Sequence, residues 1–158
     1  MPSPIGHQRG PTTLERPGVP LARGAARLLG DMGYAALSEF SLETGRRVDV
    51  FGVGAAGALI AVEVKSSRED FLSDSKWPDY LDYCDRFYFA VPAEFPSALL
   101  PGDHGLFCVD PFGGALIREA PLLPVKAARR KALLTRFART AADRLHRLTD
   151  PEALMAAS

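Results

Sequence analysis

Residues 58–64 form a short run of Leu, Ile, Val and Ala with one acid, Glu63, and a lysine follows at once, giving Glu63-Val64-Lys65. Its length and β-branched content are those of a strand buried on both faces. A fold that buries this strand must also accommodate a carboxylate and an ammonium, because unpaired charges are costly in an apolar interior. Side chains repeat every second residue along a strand, so Glu63 and Lys65 project from one face about 6 to 7 Å apart. The preceding segment, Arg47 to Val53, alternates as a strand too, and Gly54 to Gly57 offers a permissive turn between the two. Val48-Asp49-Val50 places an acid between two core-facing valines, and the hairpin brings Asp49 beside Glu63 and Lys65.

The remaining chain frames this hairpin. Residues 1–20 are rich in Pro, Gly and polar side chains and read as a flexible N-terminal tail. From Leu21 the apolar positions recur at helical spacing until Gly33, a suitable left-handed cap. Tyr34 to Leu42 reads as a first strand, separated from Arg47 to Val53 by the Thr44-Gly45 turn. Ser67 to Asp70 has the cap residue and the acid three places on that begin a helix, and Pro78 fits the first turn of a further helical stretch ending near Tyr83. Arg86 to Val91 is a fourth strand. Gly105 to Val109 and Ala115 to Arg118 flank a turn and predict a second hairpin. Val125 to Leu148 closes the chain as a helix with Leu134, Phe137, Ala141, Leu145 and Leu148 on one stripe, and residues 151–158 read as a C-terminal tail. The prediction is an α/β domain over 21–150, in the order helix, three strands, helix, strand, hairpin, helix.

At 158 residues and 47% hydrophobic content, the chain has the size of one domain. Its longest apolar stretch is too short and too interrupted to cross a bilayer. The N-terminal residues lack the apolar core of a secretory signal, and Cys84 and Cys108 have neither disulfide-framework nor zinc-site spacing. A cytoplasmic protein is expected.

Two carboxylates converging at a sheet end repel one another unless a divalent cation lies between them, and Mg²⁺ or Mn²⁺ suits such oxygen donors. An ammonium two residues beyond the second acid could orient an attacking water or stabilise charge on a phosphoryl oxygen. This is the chemistry of phosphodiester hydrolysis. The opposing interpretation is a purely structural Glu63–Lys65 ion pair. Gly52 to Gly57 also spells GxGxxG, but a dinucleotide site would need a helix after it, where the sequence offers a strand. His7, His104 and His146 are scattered and read as surface residues.

Nineteen basic and nineteen acidic side chains balance overall, whereas residues 125–158 carry eight basic and three acidic ones. Arg129, Arg130, Arg136 and Arg139 on the last helix are candidate phosphate contacts for DNA, with a solvated helix face as the alternative. Trp77, Tyr80 and Tyr83 could stack on unpaired bases, but their helical spacing is expected to place them in the core.

Asp49 with Glu63-Val64-Lys65, the second acid fourteen positions after the first, resembles the PD-(D/E)XK nuclease superfamily, with Val48 where a proline usually precedes the first acid. The resemblance implies a restriction-endonuclease-like core holding one or two Mg²⁺ ions through Asp49, Glu63 and the backbone carbonyl of Val64, with Lys65 positioning the nucleophile. It also implies an additional upstream acid, for which Glu39 is the candidate and Asp31 the alternative. Gly45 to Val50, Val62 to Ser67, Asp70-Phe71, Lys76 to Tyr80, Asp82 to Arg86 and Arg118 to Pro121 together look like the MmcB-like DNA repair proteins. That likeness implies a role in bacterial DNA-damage responses, with DNA as partner, and leaves open a homodimer, other repair proteins as partners, RNA as substrate and a non-catalytic DNA- or partner-binding factor on the same scaffold.

Overall fold

The structure, a computed structural model, describes residues 16–154. Three helices, α1 (Gly18–Asp31), α2 (Arg68–Ser73) and α3 (Ala127–Thr149), surround six strands: β1 (Ala35–Ser41), β2 (Arg47–Val53), β3 (Leu59–Val64), β4 (Arg86–Val91), β5 (Gly105–Asp110) and β6 (Gly113–Arg118). The strands form one sheet in sequence order, antiparallel across β1–β2–β3, parallel across β3–β4–β5, and antiparallel again to β6. The helix, three-strand, helix, strand order of a restriction-endonuclease-like α/β core is thus present, followed by the expected hairpin and C-terminal helix. The helix α1 starts at Gly18, inside the segment read as a tail, and Pro151–Leu154 forms a 3-10 turn. Residues 1–15 and 155–158 of the two predicted tails lie outside the described residues.

Each sheet face has its own core. Leu21, Ala25, Leu28 and Leu29 of α1 pack on Val50, Ile60, Val62, Val64, Tyr88 and Phe107. The opposite face carries Phe40, Phe51, Leu59, Phe87 and Phe89 beneath Tyr80, Leu133, Trp77 and Phe137. Trp77 stacks on Phe87 with ring centroids 5.7 Å apart, so the expectation that it belongs to the core holds. His104 joins that aromatic group, 5.1 Å from the Trp77 ring centroid, where the sequence suggested a surface position. Gly24 brings α1 onto the β5–β6 turn so closely that a Cβ there would lie 1.7 Å from the Asp110 carbonyl oxygen.

Two patterns depart from the sequence-based expectation. Val48 and Val50 are both fully buried, but in different cores, so β2 does not simply alternate around Asp49. The change of face falls where the β1–β2 ladder is interrupted: opposite Asp49, Glu39 adopts φ +49°, a left-handed conformation for a non-glycine residue, and the ladder runs from Ser38–Val50 to Phe40–Val48 without it. On α3, Leu145 and Leu148 are 61% and 79% exposed instead of completing the apolar stripe. The formal GxGxxG segment is a β2–β3 hairpin turn, closed by the Gly54 N–H donating to the Ala58 carbonyl.

Candidate active site

The β2–β3 ladder ends at the Val50–Val62 pair. One step further, the two backbones part, and Asp49 and Glu63 occupy the fork. The N–H of Val64, which in a continued ladder would face a strand carbonyl, donates instead to Asp49 Oδ2 at 2.8 Å. On its other edge β3 remains paired: the Lys65 N–H donates to the Ala90 carbonyl. The sheet therefore fixes the Glu63-Val64-Lys65 backbone from one side and exposes it to Asp49 from the other.

Glu63 is 7% exposed and Lys65 3%. Lys65 Nζ donates to Glu63 Oε1 at 3.5 Å and to Asp74 Oδ2 at 2.5 Å. The second oxygen of Glu63 is buried with no hydrogen-bond partner, a costly arrangement for a carboxylate. Burial, reinforced by the neighbouring Asp49 charge, pushes the Glu63 carboxyl up to about 9. Burial raises Asp49 as well, although the Val64 N–H and its contact with Glu63 counteract part of this. Two acids in one desolvated site cannot both ionise cheaply, so the pair retains a proton unless a cation replaces it. For Lys65, burial opposes the charged form, but Asp74 and Glu63 outweigh it, and its pKa is raised. The lysine is thus a fixed positive charge and not a base.

These groups open into a cleft of about 790 Å³ between the N-terminal half of α1, the β1 edge and the β3–α2 connection. Asp70 shapes the last of these. Its N–H donates to the capping Ser67 Oγ at 3.1 Å, and its Oδ2 accepts from the Ser66 N–H at 3.0 Å and the Ser66 hydroxyl at 3.3 Å. Glu39 lines the cleft from β1, but its carboxylate faces Arg47 at 3.9 Å. Asp31, the alternative upstream acid, stands at the opposite end of α1 from the cleft. Asp74 escaped the sequence analysis because no periodicity links the residue after α2 to Lys65.

The candidate DNA-contacting arginines divide into two groups. Arg130 grips Asp85 with both guanidinium nitrogens, at 2.7 and 2.5 Å, and donates to the Gly57 carbonyl, so it serves the fold. Asp85 also accepts from the Leu59 and Val125 N–H groups, which locks β3 to the start of α3. Arg129 lies over the Tyr83 ring at 4.6 Å and donates to the Asp82 carbonyl. Arg136 and Arg139 are exposed with Lys131 along α3, near Glu43 and Asp143. Among the described residues no group of three or more His, Cys, Asp or Glu side chains is arranged to hold a metal, and no helix is long and apolar enough to cross a membrane. Any ion at the fork would therefore rest on the Asp49–Glu63 pair and on non-side-chain donors. Two carboxylates with main-chain and water oxygens meet the requirements of Mg²⁺, which retains several waters when bound to proteins.

Fold and site define a mixed α/β protein with a buried pair of acids and an adjoining lysine where two central strands separate. The chain belongs to the MmcB-like DNA repair protein family, whose model matches residues 12–152. A solved structure of a protein of unknown function from Silicibacter pomeroyi is 46% identical, with a TM-score of 0.84 over 87% of this chain and 94% of that one. No curated protein matches the chain.

Proposed function

We propose that this DNA repair family member is a Mg²⁺- or Mn²⁺-dependent phosphodiesterase of the PD-(D/E)XK nuclease-like type, an endonuclease acting on DNA. The observation that carries the proposal is the unpartnered buried oxygen of Glu63 against Asp49. Folding gains nothing from an orphaned carboxylate oxygen beside a second acid, whereas a divalent cation satisfies both. Asp49 and Glu63 would hold the ion, together with the backbone carbonyl of Val64. Bound there, the metal would polarise the scissile phosphate and lower the pKa of a water. Lys65, held by Asp74, would orient the attacking water and offset charge developing on the phosphoryl oxygens. Glu39 would act on the outer lip through the hydration shell of the site. Exposed Arg136 and Arg139 would supply phosphate contacts away from the fork.

One observation favours the second class, a non-catalytic DNA- or partner-binding factor: Lys65 is nearer to Asp74 than to Glu63, which draws its ammonium toward α2. Incubating the protein with nicked, branched, abasic and single-stranded DNAs in Mg²⁺ or Mn²⁺ separates the two. Cleavage of any substrate that Glu63→Ala abolishes supports the enzyme. Salt-sensitive binding of all substrates without cleavage, unchanged in Asp49→Ala, supports the binding factor.

A further inference from the structure

The cleft above the acids has an uneven lining. Apart from Glu39 on β1, its α1 and β1 walls present Gly18, Val19, Ala22, Ala26, Ala36 and Ser38, none larger than valine, while Arg16, just ahead of α1, and Arg23, within it, both line the cleft and are exposed. Among the described residues no aromatic side chain lines the cleft. At its floor lies the Glu63 oxygen that has no partner and belongs to a side chain more than nine-tenths buried. The small residues create space, the arginines add positive charge at the mouth, and the orphaned acid marks the floor as a place for a bound group.

We infer that this cleft admits the backbone of one unpaired DNA strand, with Arg16 and Arg23 on its phosphates and a phosphodiester over Asp49 and Glu63. The inference rests on the phosphodiesterase reading of the fork and adds its substrate class. About 790 Å³ falls in the volume range of pockets that enclose a single small ligand. It has room for a short piece of one strand but not for two strands paired across grooves roughly 6 and 12 Å wide. A phosphate on stacked duplex would have to reach a carboxylate that is only 7% exposed, past α1 on one side and the Ser66–Asp70 turn on the other. A single strand bends and threads. Without aromatic platforms the cleft grips the backbone and leaves bases outside, so its binding is independent of sequence.

The test is fluorescence anisotropy of labelled oligothymidylate, with and without its complement, titrated in Ca²⁺ over a range of salt. Wild type is compared with R16Q/R23Q and R136Q/R139Q, each checked by circular dichroism, and Mn²⁺ uptake is measured on the same proteins. The expected result is tighter binding of the single strand than of duplex and about a tenfold loss in R16Q/R23Q. The slope of log affinity against log salt should fall by about 1.4 in that variant, from two phosphates at roughly 0.7 each. Equal affinity for duplex, or a slope lost only in R136Q/R139Q, overturns the inference. Mn²⁺ uptake by all three proteins keeps the metal reading intact in that event. Absent Mn²⁺ uptake alongside strand binding that needs Arg16 and Arg23 removes the catalytic reading and leaves the single-strand seat standing.

Discussion

Lys65 Nζ donates to Asp74 Oδ2 at 2.5 Å, which anchors the lysine of the fork from a residue nine positions along the chain. Burial alone would raise the Asp74 carboxyl, but the Lys65 ammonium and the Lys76 N–H hold it below the usual carboxylate range. Asp74→Asn keeps the shape and removes the charge that aims the ammonium. On the hydrolytic reading this variant loses about tenfold or more in cleavage rate, a typical effect of misaligned supporting groups, with Mn²⁺ affinity changed less than the rate. Asp74→Glu should recover part of the loss. A plasmid-nicking time course with parallel calorimetry checks both.

Glu63→Gln should stabilise the protein in the absence of metal. The substitution removes one of two adjoining acids and gives the fork an N–H donor for Asp49, where the structure has an unpartnered oxygen. Relieving one unsatisfied buried group is worth about 1 to 3 kcal/mol, and thermal melts in chelator should show a rise of several degrees. An unchanged or lower melting temperature would mean that the fork is not strained.

The Asp85–Arg130 pair sets acid stability. Burial alone would raise the Asp85 carboxyl, but Arg130 and the Val125 and Leu59 N–H groups outweigh it and bring it to about 2, against 3.8 for the ordinary group. A depressed folded-state pKa stabilises above the unfolded value, and that contribution disappears as pH falls from about 4 through about 2. Its size is about 2 kcal/mol. Arg130→Met leaves a buried carboxylate without its cation and should cost about 3 kcal/mol at neutral pH. Urea unfolding between pH 2 and 7 measures both, and the variant should lose less stability than wild type over the acid range.

Gly24→Ala tests the close approach of α1 to the β5–β6 turn. With the Asp110 carbonyl oxygen 1.7 Å from the added Cβ, the helix must shift, at a cost of about 2 kcal/mol or more. Because α1 also walls the cleft, single-strand binding should weaken with it. Urea melts and anisotropy on the same sample check the pair.

The legibility of this site follows from which interactions are local. The shared face of Glu63 and Lys65 depends only on the two-residue period of a strand, and Asp49 reaches Glu63 because a glycine-rich hairpin joins their strands. The left-handed Glu39 has no such signal, nor does the break in the ladder beside it at which Val48 and Val50 turn to opposite cores. Arg130 looks like its basic neighbours in sequence. Its partner, Asp85, lies forty-five residues earlier and is recognisable only once β3 and α3 are side by side. Helical periodicity likewise gives a face to α3 but not the point where the sheet beneath it ends, so Leu145 and Leu148 project into solvent.

Titration calorimetry with Mn²⁺ on wild type, Asp49→Ala and Glu63→Ala is the most direct test of the metal-binding fork. Wild type should take up the ion and both folded variants should lose that uptake, as expected if two carboxylates supply its only side-chain donors. Equal uptake by all three proteins, each confirmed as folded by circular dichroism, would contradict the assignment of Asp49 and Glu63 as metal ligands.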